Sequence, residues 1–108
     1  MSEVKWQPLA MRHFRQVVTR GLSDFGPTTA SSMIDEVDRI VQKLEEQPGV
    51  GYLKLVSSGK KRLFRACLVK KRFELIYYYQ ESTDTVFVAD FWDAKMNPDK
   101  LERRLGNI

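Results

Sequence analysis

The hydrophobic period of this sequence changes from helical to alternating at Pro48 and Gly49, and that change constrains the fold more than any other feature. Before it, apolar residues recur at the spacing of one face of an amphipathic helix. This stripe consists of Ala30, Met33, Ile34, Val37, Ile40, Val41 and Leu44. After it, apolar and polar residues alternate in short stretches, which is typical of half-buried strands. Helices followed by a separate block of strands indicate an α+β fold.

The element boundaries follow from this pattern and from the prolines. Pro8 and Pro27 suit the first turns of two helices, because proline lacks an N–H that such positions leave unpaired. The predicted elements are a strand at Glu3–Trp6, a helix from Pro8 to Leu22, a helix from Pro27 that ends before Pro48, strands at Tyr52–Val56, Arg62–Val69, Phe73–Tyr79 and Thr85–Trp92, and a helix at Asp99–Leu105.

We expect a single α+β domain over residues 1–108. It combines a short N-terminal strand, a two-helix hairpin packed on a four-stranded, mainly antiparallel sheet, and a short C-terminal helix. The sheet face away from the helices is expected to be an open surface that carries Arg65. The first helix should also have a basic outer face, since Arg12, Arg15 and Arg20 lie off its apolar stripe.

Composition limits the class of protein and its compartment. Of the 108 residues, 43% are hydrophobic and 30% are charged, which fits a folded chain. We expect no membrane span and no secretory signal, because the apolar runs are short. Cys67 is the only cysteine and His13 the only histidine, so an internal disulfide is impossible and no metal cluster is suggested. We therefore expect a cytoplasmic protein without a cofactor.

The segment from Lys60 to Arg72 is strongly basic. Seven of its thirteen residues are lysine or arginine and none is acidic. Such a cluster indicates a polyanionic partner, which could be nucleic acid, an acidic protein segment or an anionic membrane; the alternative is a solvated basic hairpin without a partner. The candidate binding residues are Lys60, Lys61, Arg62 and Lys70, with Trp92 as a possible partner anchor.

Several short motifs occur in an order that resembles one family. They are Trp6-x-Pro8-Leu9-Ala10, Phe25-Gly26-x-x-x-Ala30, Leu44-x-x-x-Pro48-x-x-Gly51, Phe73-x-Leu75-Ile76-Tyr77 and Phe91-Trp92-Asp93. In their order and spacing the chain resembles a RelE/ParE-superfamily toxin, of the kind called a plasmid stabilisation protein. The resemblance implies the toxin of a bacterial type II toxin–antitoxin module, neutralised by a cognate antitoxin.

The resemblance leaves the target open. RelE-like toxins cut mRNA at the ribosome, whereas ParE-like toxins poison DNA gyrase. If this chain is a nuclease, the residues that the resemblance offers for catalysis are Arg65, Lys71, Arg72, Tyr77 and Lys95. Glu74 stands where the hairpin motif of the family has arginine, and a carboxylate there would repel phosphate unless it acted as a general base. The alternative is a degenerate, non-catalytic module that only binds antitoxin or nucleic acid.

Overall fold

The computed structural model describes residues 1–56 and 62–106. Its elements are β1 (Glu3–Trp6), α1 (Pro8–Phe25), α2 (Pro27–Glu46), β2 (Tyr52–Leu53), β3 (Phe64–Val69), β4 (Phe73–Gln80), a 3₁₀ turn (Glu81–Thr83), β5 (Thr85–Asp93) and α3 (Pro98–Leu105). The predicted order of elements is confirmed. Two boundaries differ most: α1 extends to Phe25 instead of Leu22, and β2 keeps only the first two residues of the predicted strand.

The strands form one five-stranded sheet in the order β1-β5-β4-β3-β2. Strands β2 to β5 pair antiparallel with their sequence neighbours, as the alternating segments predict. β1 adds a fifth strand parallel to β5, with Glu3 opposite Thr85 and Trp6 opposite Val88. The α+β prediction is therefore confirmed, with the N-terminal strand belonging to the same sheet.

The two helices cover one face of the sheet and build the larger core there. The apolar stripe of α2 supplies Met33, Val37 and Leu44, and α1 supplies Ala10. Phe14 of α1 packs edge-on against Phe91 of β5, with ring centres 5.1 Å apart. Burying each large aliphatic side chain contributes about 1.5–3 kcal/mol, so this stripe is a main source of stability.

The opposite face of the sheet is also covered, which corrects the prediction of an open surface. Leu101 and Leu105 of α3 are buried in a second core that includes Ile76 and Trp92. Asn97 begins α3 by accepting a hydrogen bond from the Asp99 N–H at 3.0 Å.

Arg65 lies on the helix side of β3, not on an open face. Its strand neighbours Phe64 and Ala66 belong to the second core, whereas Cys67 packs against the helix-side core. Since side chains alternate along a strand, Arg65 shares the face of Cys67.

The turn between β3 and β4 has an uncommon backbone. Lys70 and Lys71 have φ of 54° and 57°, and the Arg72 N–H donates to the Val69 carbonyl at 3.1 Å. Left-handed residues other than glycine cost about 1–2 kcal/mol each. Glu36 of α2 offsets part of this cost, because its carboxylate accepts the Lys70 N–H at 2.9 Å and lies 3.5 Å from Lys70 Nζ.

Candidate functional site

A groove opens between α1, the start of α2, the β3–β4 turn and the segment from the end of β5 into α3. Its volume is about 560 Å³, within the usual size range of binding clefts. The apolar part of its lining includes Val17, Met33, Phe73, Phe91 and Met96. The basic part comprises His13, Arg20, Lys70, Arg72, Lys100 and Arg104, and the lining carboxylates among the described residues are Asp24 and Asp93.

Arg72 is held by a carboxylate at the edge of this groove. Its guanidinium donates to both oxygens of Asp93, with Nε 3.3 Å from Oδ1 and Nη2 2.9 Å from Oδ2. This hydrogen bonding holds the pKa of Asp93 below its ordinary value and raises the pKa of Arg72. The Lys95 N–H also donates to Asp93, at 3.0 Å. The pairing uses Nε and one N–H of Nη2, which leaves the Nη1 N–H groups of Arg72 for a further acceptor.

The three predicted lysines of this region differ in their partners. Lys70 is paired with Glu36, as described above. Lys71 and Lys95 are exposed. Neither forms an ion pair within residues 1–56 and 62–106, so both remain available to an anionic partner.

Asp90 is fully buried and connects α1 with α3. One carboxylate oxygen lies 2.6 Å from His13 Nδ1, and the other accepts a hydrogen bond from Arg104 Nη1 at 3.1 Å. The Arg104 guanidinium also lies 5.1 Å from the centre of the Trp92 ring. His13 and Arg104 are thereby committed to a structural network that fastens α3 to the sheet.

Arg65 and Tyr77 are cross-strand neighbours that hold the segment before β2. The Tyr77 hydroxyl donates to the Pro48 carbonyl at 2.6 Å and accepts the Gly51 N–H at 2.9 Å. Arg65 Nη1 donates to the Gly51 carbonyl at 2.9 Å. A Cβ at Gly51 would lie 2.8 Å from the Ala66 carbonyl oxygen and from the Tyr77 ring, so only glycine fits there. Tyr77 is fully buried, and that burial raises the pKa of its hydroxyl.

Glu74 is neutralised within the chain, on the other face of the sheet. Its side chain is buried, and Lys54 Nζ donates to its two oxygens at 2.9 and 3.2 Å. The Tyr52 hydroxyl donates to the same carboxylate. Burial raises the pKa of Tyr52, and the hydrogen bond to Glu74 raises it further. A general-base role for Glu74 would require the carboxylate to give up the Lys54 ion pair.

The structure describes two of the remaining predicted binding residues, Trp92 and Arg62. Trp92 is 2% exposed and belongs to the second core, which corrects its prediction as an exposed anchor. Arg62 is exposed and lies over the Tyr78 ring, 4.2 Å from its centre. Lys60 and Lys61 lie outside the described residues.

The five candidate catalytic residues fall into two groups. Arg65 and Tyr77 meet at the backbone of Gly51, whereas Lys71, Arg72 and Lys95 lie around the β3–β4 turn and the end of β5. At about 3.3 Å per residue, Arg72 and Tyr77 are about 16 Å apart along β4. The backbone therefore anchors the two groups at separate places on the sheet.

The outer face of α1 carries cations without carboxylate partners. Arg12, Arg15 and Arg20 are exposed, as the helix pattern predicts. Across the described part of the chain, none of the three forms an ion pair. Because Arg20 also lines the groove, this basic strip leads into it.

Sequence reasoning missed the groove and the network around Asp90. A signal for Asp90 exists, since it is the one acid in the otherwise apolar run from Val86 to Trp92. The groove has no comparable signal, because its lining comes from elements far apart in the sequence.

Metal binding and membrane insertion find no support in residues 1–56 and 62–106. In that part of the chain, no group of three or more His, Cys, Asp or Glu side chains is arranged to hold a metal ion. No helix there combines the length and apolarity needed to cross a membrane.

These features define a small α+β protein with a helical hairpin on one sheet face and a short helix on the other. A solved structure described as the chromosomal ParDE TA system from P. aeruginosa contains a chain of this fold. The two chains superpose with a TM-score of 0.68 at 14% sequence identity, over 86% of this chain and 96% of that chain. This likeness confirms the predicted α+β fold. No protein-family model and no curated protein matches the sequence.

Proposed function

We propose that the chain is the toxin of a type II toxin–antitoxin module, that it inhibits DNA gyrase in the cytoplasm, and that a cognate antitoxin neutralises it. The likeness in fold to a chain of the ParDE TA system supports the toxin assignment. The motifs that resemble the RelE/ParE superfamily support it independently.

The observation that carries the choice of target is the separation of the candidate catalytic groups. Cleavage of a phosphodiester requires several side chains positioned on one reacting centre. Here Tyr77 is buried against Pro48 and Gly51, and Arg72 is paired with Asp93. This arrangement favours a toxin that acts by binding over one that cuts RNA.

Induced expression tests the toxin assignment. Expression of the chain alone should arrest growth, and co-expression of the neighbouring gene should restore it. Normal growth despite soluble, folded protein would contradict the assignment and support the degenerate binding module instead.

Two assays on the same purified protein test the target. The protein should inhibit supercoiling by gyrase, while primer extension on cellular mRNA should show no new cleavage sites. Cleavage that is lost in the triple variant K71A/R72A/K95A, with supercoiling unaffected, would overturn the gyrase proposal and identify a nuclease.

A further inference from the structure

The outer face of α1 carries three arginines that no contact within the described chain explains. Arg12, Arg15 and Arg20 are exposed, and none of them forms an ion pair among residues 1–56 and 62–106. Residues three apart are neighbours on a helix, so the like charges of Arg12 and Arg15 repel each other. An anionic partner would remove that repulsion.

The three arginines form a strip along a shallow depression on the surface of α1. At about 100° and 1.5 Å per residue, Arg15 and Arg20 lie about 60° and 80° to either side of Arg12, and the strip is about 12 Å long. A DNA duplex presents about seven phosphate charges over that length, at one charge per about 1.7 Å. A row of phosphates therefore matches the strip in length and is opposite in charge.

The side chains between the arginines are polar and uncharged. Gln16 and Thr19 are exposed in the same depression, and no carboxylate lines it among the residues that the structure describes. Arginine, glutamine and threonine are among the side chains that commonly contact the phosphate and sugar oxygens of DNA. A protein interface takes most of its affinity from large buried anchors, for which the depression offers only Pro8 and Met11. The lining favours nucleic acid over a protein segment.

The exposed side of α2 provides a contrast. Arg39 and Lys43 are also exposed, and within the described part of the chain they form no ion pair either. Asp35 lies one turn before Arg39 and lines the same surface depression, and Asp38 is exposed nearby on the helix. Interspersed charges of both signs largely cancel, whereas the α1 strip adds positive charge only.

We propose that the α1 strip binds the phosphate backbone of duplex DNA without reading its base sequence. Arg12, Arg15 and Arg20 each pair with a phosphate through the guanidinium fork. Gln16 and Thr19 donate to the phosphate or sugar oxygens between them. The choice of DNA over RNA rests on the proposed function, since gyrase acts on duplex DNA.

The salt dependence of DNA binding tests this proposal. The probe is a duplex of about 30 base pairs, and its affinity for the purified chain is measured by fluorescence anisotropy between about 50 and 200 mM salt. Each phosphate contact contributes about 0.9 to the slope of log affinity against log salt, so R12A/R15A should reduce that slope by about 1.8. R39A/K43A, with the same change in net charge, should reduce it by less than about 0.5.

Two results of this titration would overturn the proposal. One is equal reductions of the slope in R12A/R15A and R39A/K43A, which would show that the DNA responds only to net charge. The other is a wild-type chain that does not bind the duplex at the lowest salt concentration.

The variant R12K/R15K controls for damage to the helix, because it keeps both charges while changing both side chains. It should retain most of the wild-type slope, since lysine also binds phosphate as a point charge. A reduction as large as that of R12A/R15A would mean that the substitutions act through the helix and not through phosphate contacts, and would overturn the proposal.

Two other probes distinguish other partners of the strip. They are a single-stranded RNA of the same length and the purified product of the neighbouring gene. If R12A/R15A binds the duplex as the wild type does but loses affinity for either of these probes, the strip belongs to RNA or to an acidic protein, and the proposal is overturned.

Supercoiling assays on the same variants separate this proposal from the proposed function. A chain that binds the duplex through Arg12 and Arg15 but leaves supercoiling unaffected upholds the strip and discards gyrase as the target. A chain that inhibits supercoiling, and whose R12A/R15A variant binds DNA like the wild type, upholds the gyrase proposal and discards the strip.

Discussion

The β3–β4 hairpin and helix α1 are both rich in arginine and lysine, yet they use these residues in opposite ways. In the hairpin, Arg65 bonds the Gly51 carbonyl and Arg72 bonds Asp93. On α1, Arg12 and Arg15 are exposed and form no ion pair among the residues that the structure describes. Among the described cations of the hairpin, Arg65 and Arg72 are therefore held by the fold, whereas Lys71 is exposed and forms no ion pair there.

This difference shows that the availability of a cation to a binding partner depends on nearby hydrogen-bond acceptors of the same chain, and not on the density of positive charge in the sequence. The sheet brings carbonyls and carboxylates from neighbouring strands beside the hairpin, and a buried cation or carboxylate must find a partner there. Within residues 1–56 and 62–106, Arg12 and Arg15 on the outer face of α1 form no ion pair, so their guanidinium groups remain available. The following predictions test this contrast, beginning with the largest effect.

Asp90→Ala should cost about 3 kcal/mol of unfolding free energy, because it leaves Arg104 and His13 without their buried carboxylate. Asp93→Ala removes the more exposed partner of Arg72 and should cost less than about 1 kcal/mol. Urea titrations of both variants measure the difference. Equal losses of unfolding free energy would show that burial does not make the Asp90 ion pairs stronger than the Arg72–Asp93 pair.

Tyr77→Phe should cost about 2 kcal/mol, because the Gly51 N–H and the Pro48 carbonyl both lose their partner. Tyr79→Phe is the matched control, since its hydroxyl meets Asp84 near the surface, and it should cost much less. Thermal melts of the two variants measure this difference in stability. A stable Y77F that has lost toxicity would instead indicate a catalytic hydroxyl.

Arg72→Ala should raise the pKa of Asp93 toward its ordinary value near 3.9, because the guanidinium that depresses it is gone. The folded-state pKa of Asp93 lies below the unfolded one, so the pair stabilises the fold above about pH 4, and this stabilisation disappears as the pH falls through the folded pKa. The stability difference between wild type and R72A should therefore shrink in acid. It should not exceed about 1 kcal/mol near neutral pH, since Arg72 is partly exposed and solvent screens the pair.

The double variant R12A/R15A should change the unfolding free energy by no more than about 0.5 kcal/mol, because neither guanidinium has a partner within the described chain. Urea titration of this variant beside R72A tests the contrast on the α1 side. A large loss of stability would mean that these arginines hold the fold after all.

Much of the fold could be predicted from the sequence because each element carries its own periodicity. The α2 stripe and the alternating strands predict most of the residues that are buried within their own segment. Met33, Val37 and Leu44 of the stripe belong to the helix-side core, whereas Ile34 is 40% exposed. The prolines at the helix starts also lie where expected.

The faces of the sheet could not be assigned from the sequence. β3 alternates Phe64 and Ala66 with Arg65 and Cys67, so neither face is distinctly apolar. The second core covers the sheet face opposite the two helices. In the sequence, the only buried residues that α3 contributes to this core are Leu101 and Leu105, which is a weak signal.

The candidate site depended even more on tertiary contacts. Nothing near Arg72 in the sequence shows that Asp93 will lie beside it, and Glu36 is equally remote from Lys70. The sequence correctly shows that many lysines and arginines lie between Lys60 and Arg72. The availability of Lys70 and Arg72 was set by Glu36 of α2 and Asp93 of β5, which the fold places beside them.

The central claim is that the unpaired cations of this molecule face an acidic partner while the paired ones hold the fold. The affinity of the purified chain for the neighbouring gene product, measured at low and at high salt, tests it most directly. The account predicts that binding weakens as salt rises and that R20A/K100A removes much of this dependence. An affinity that is the same at both salt concentrations would contradict the account.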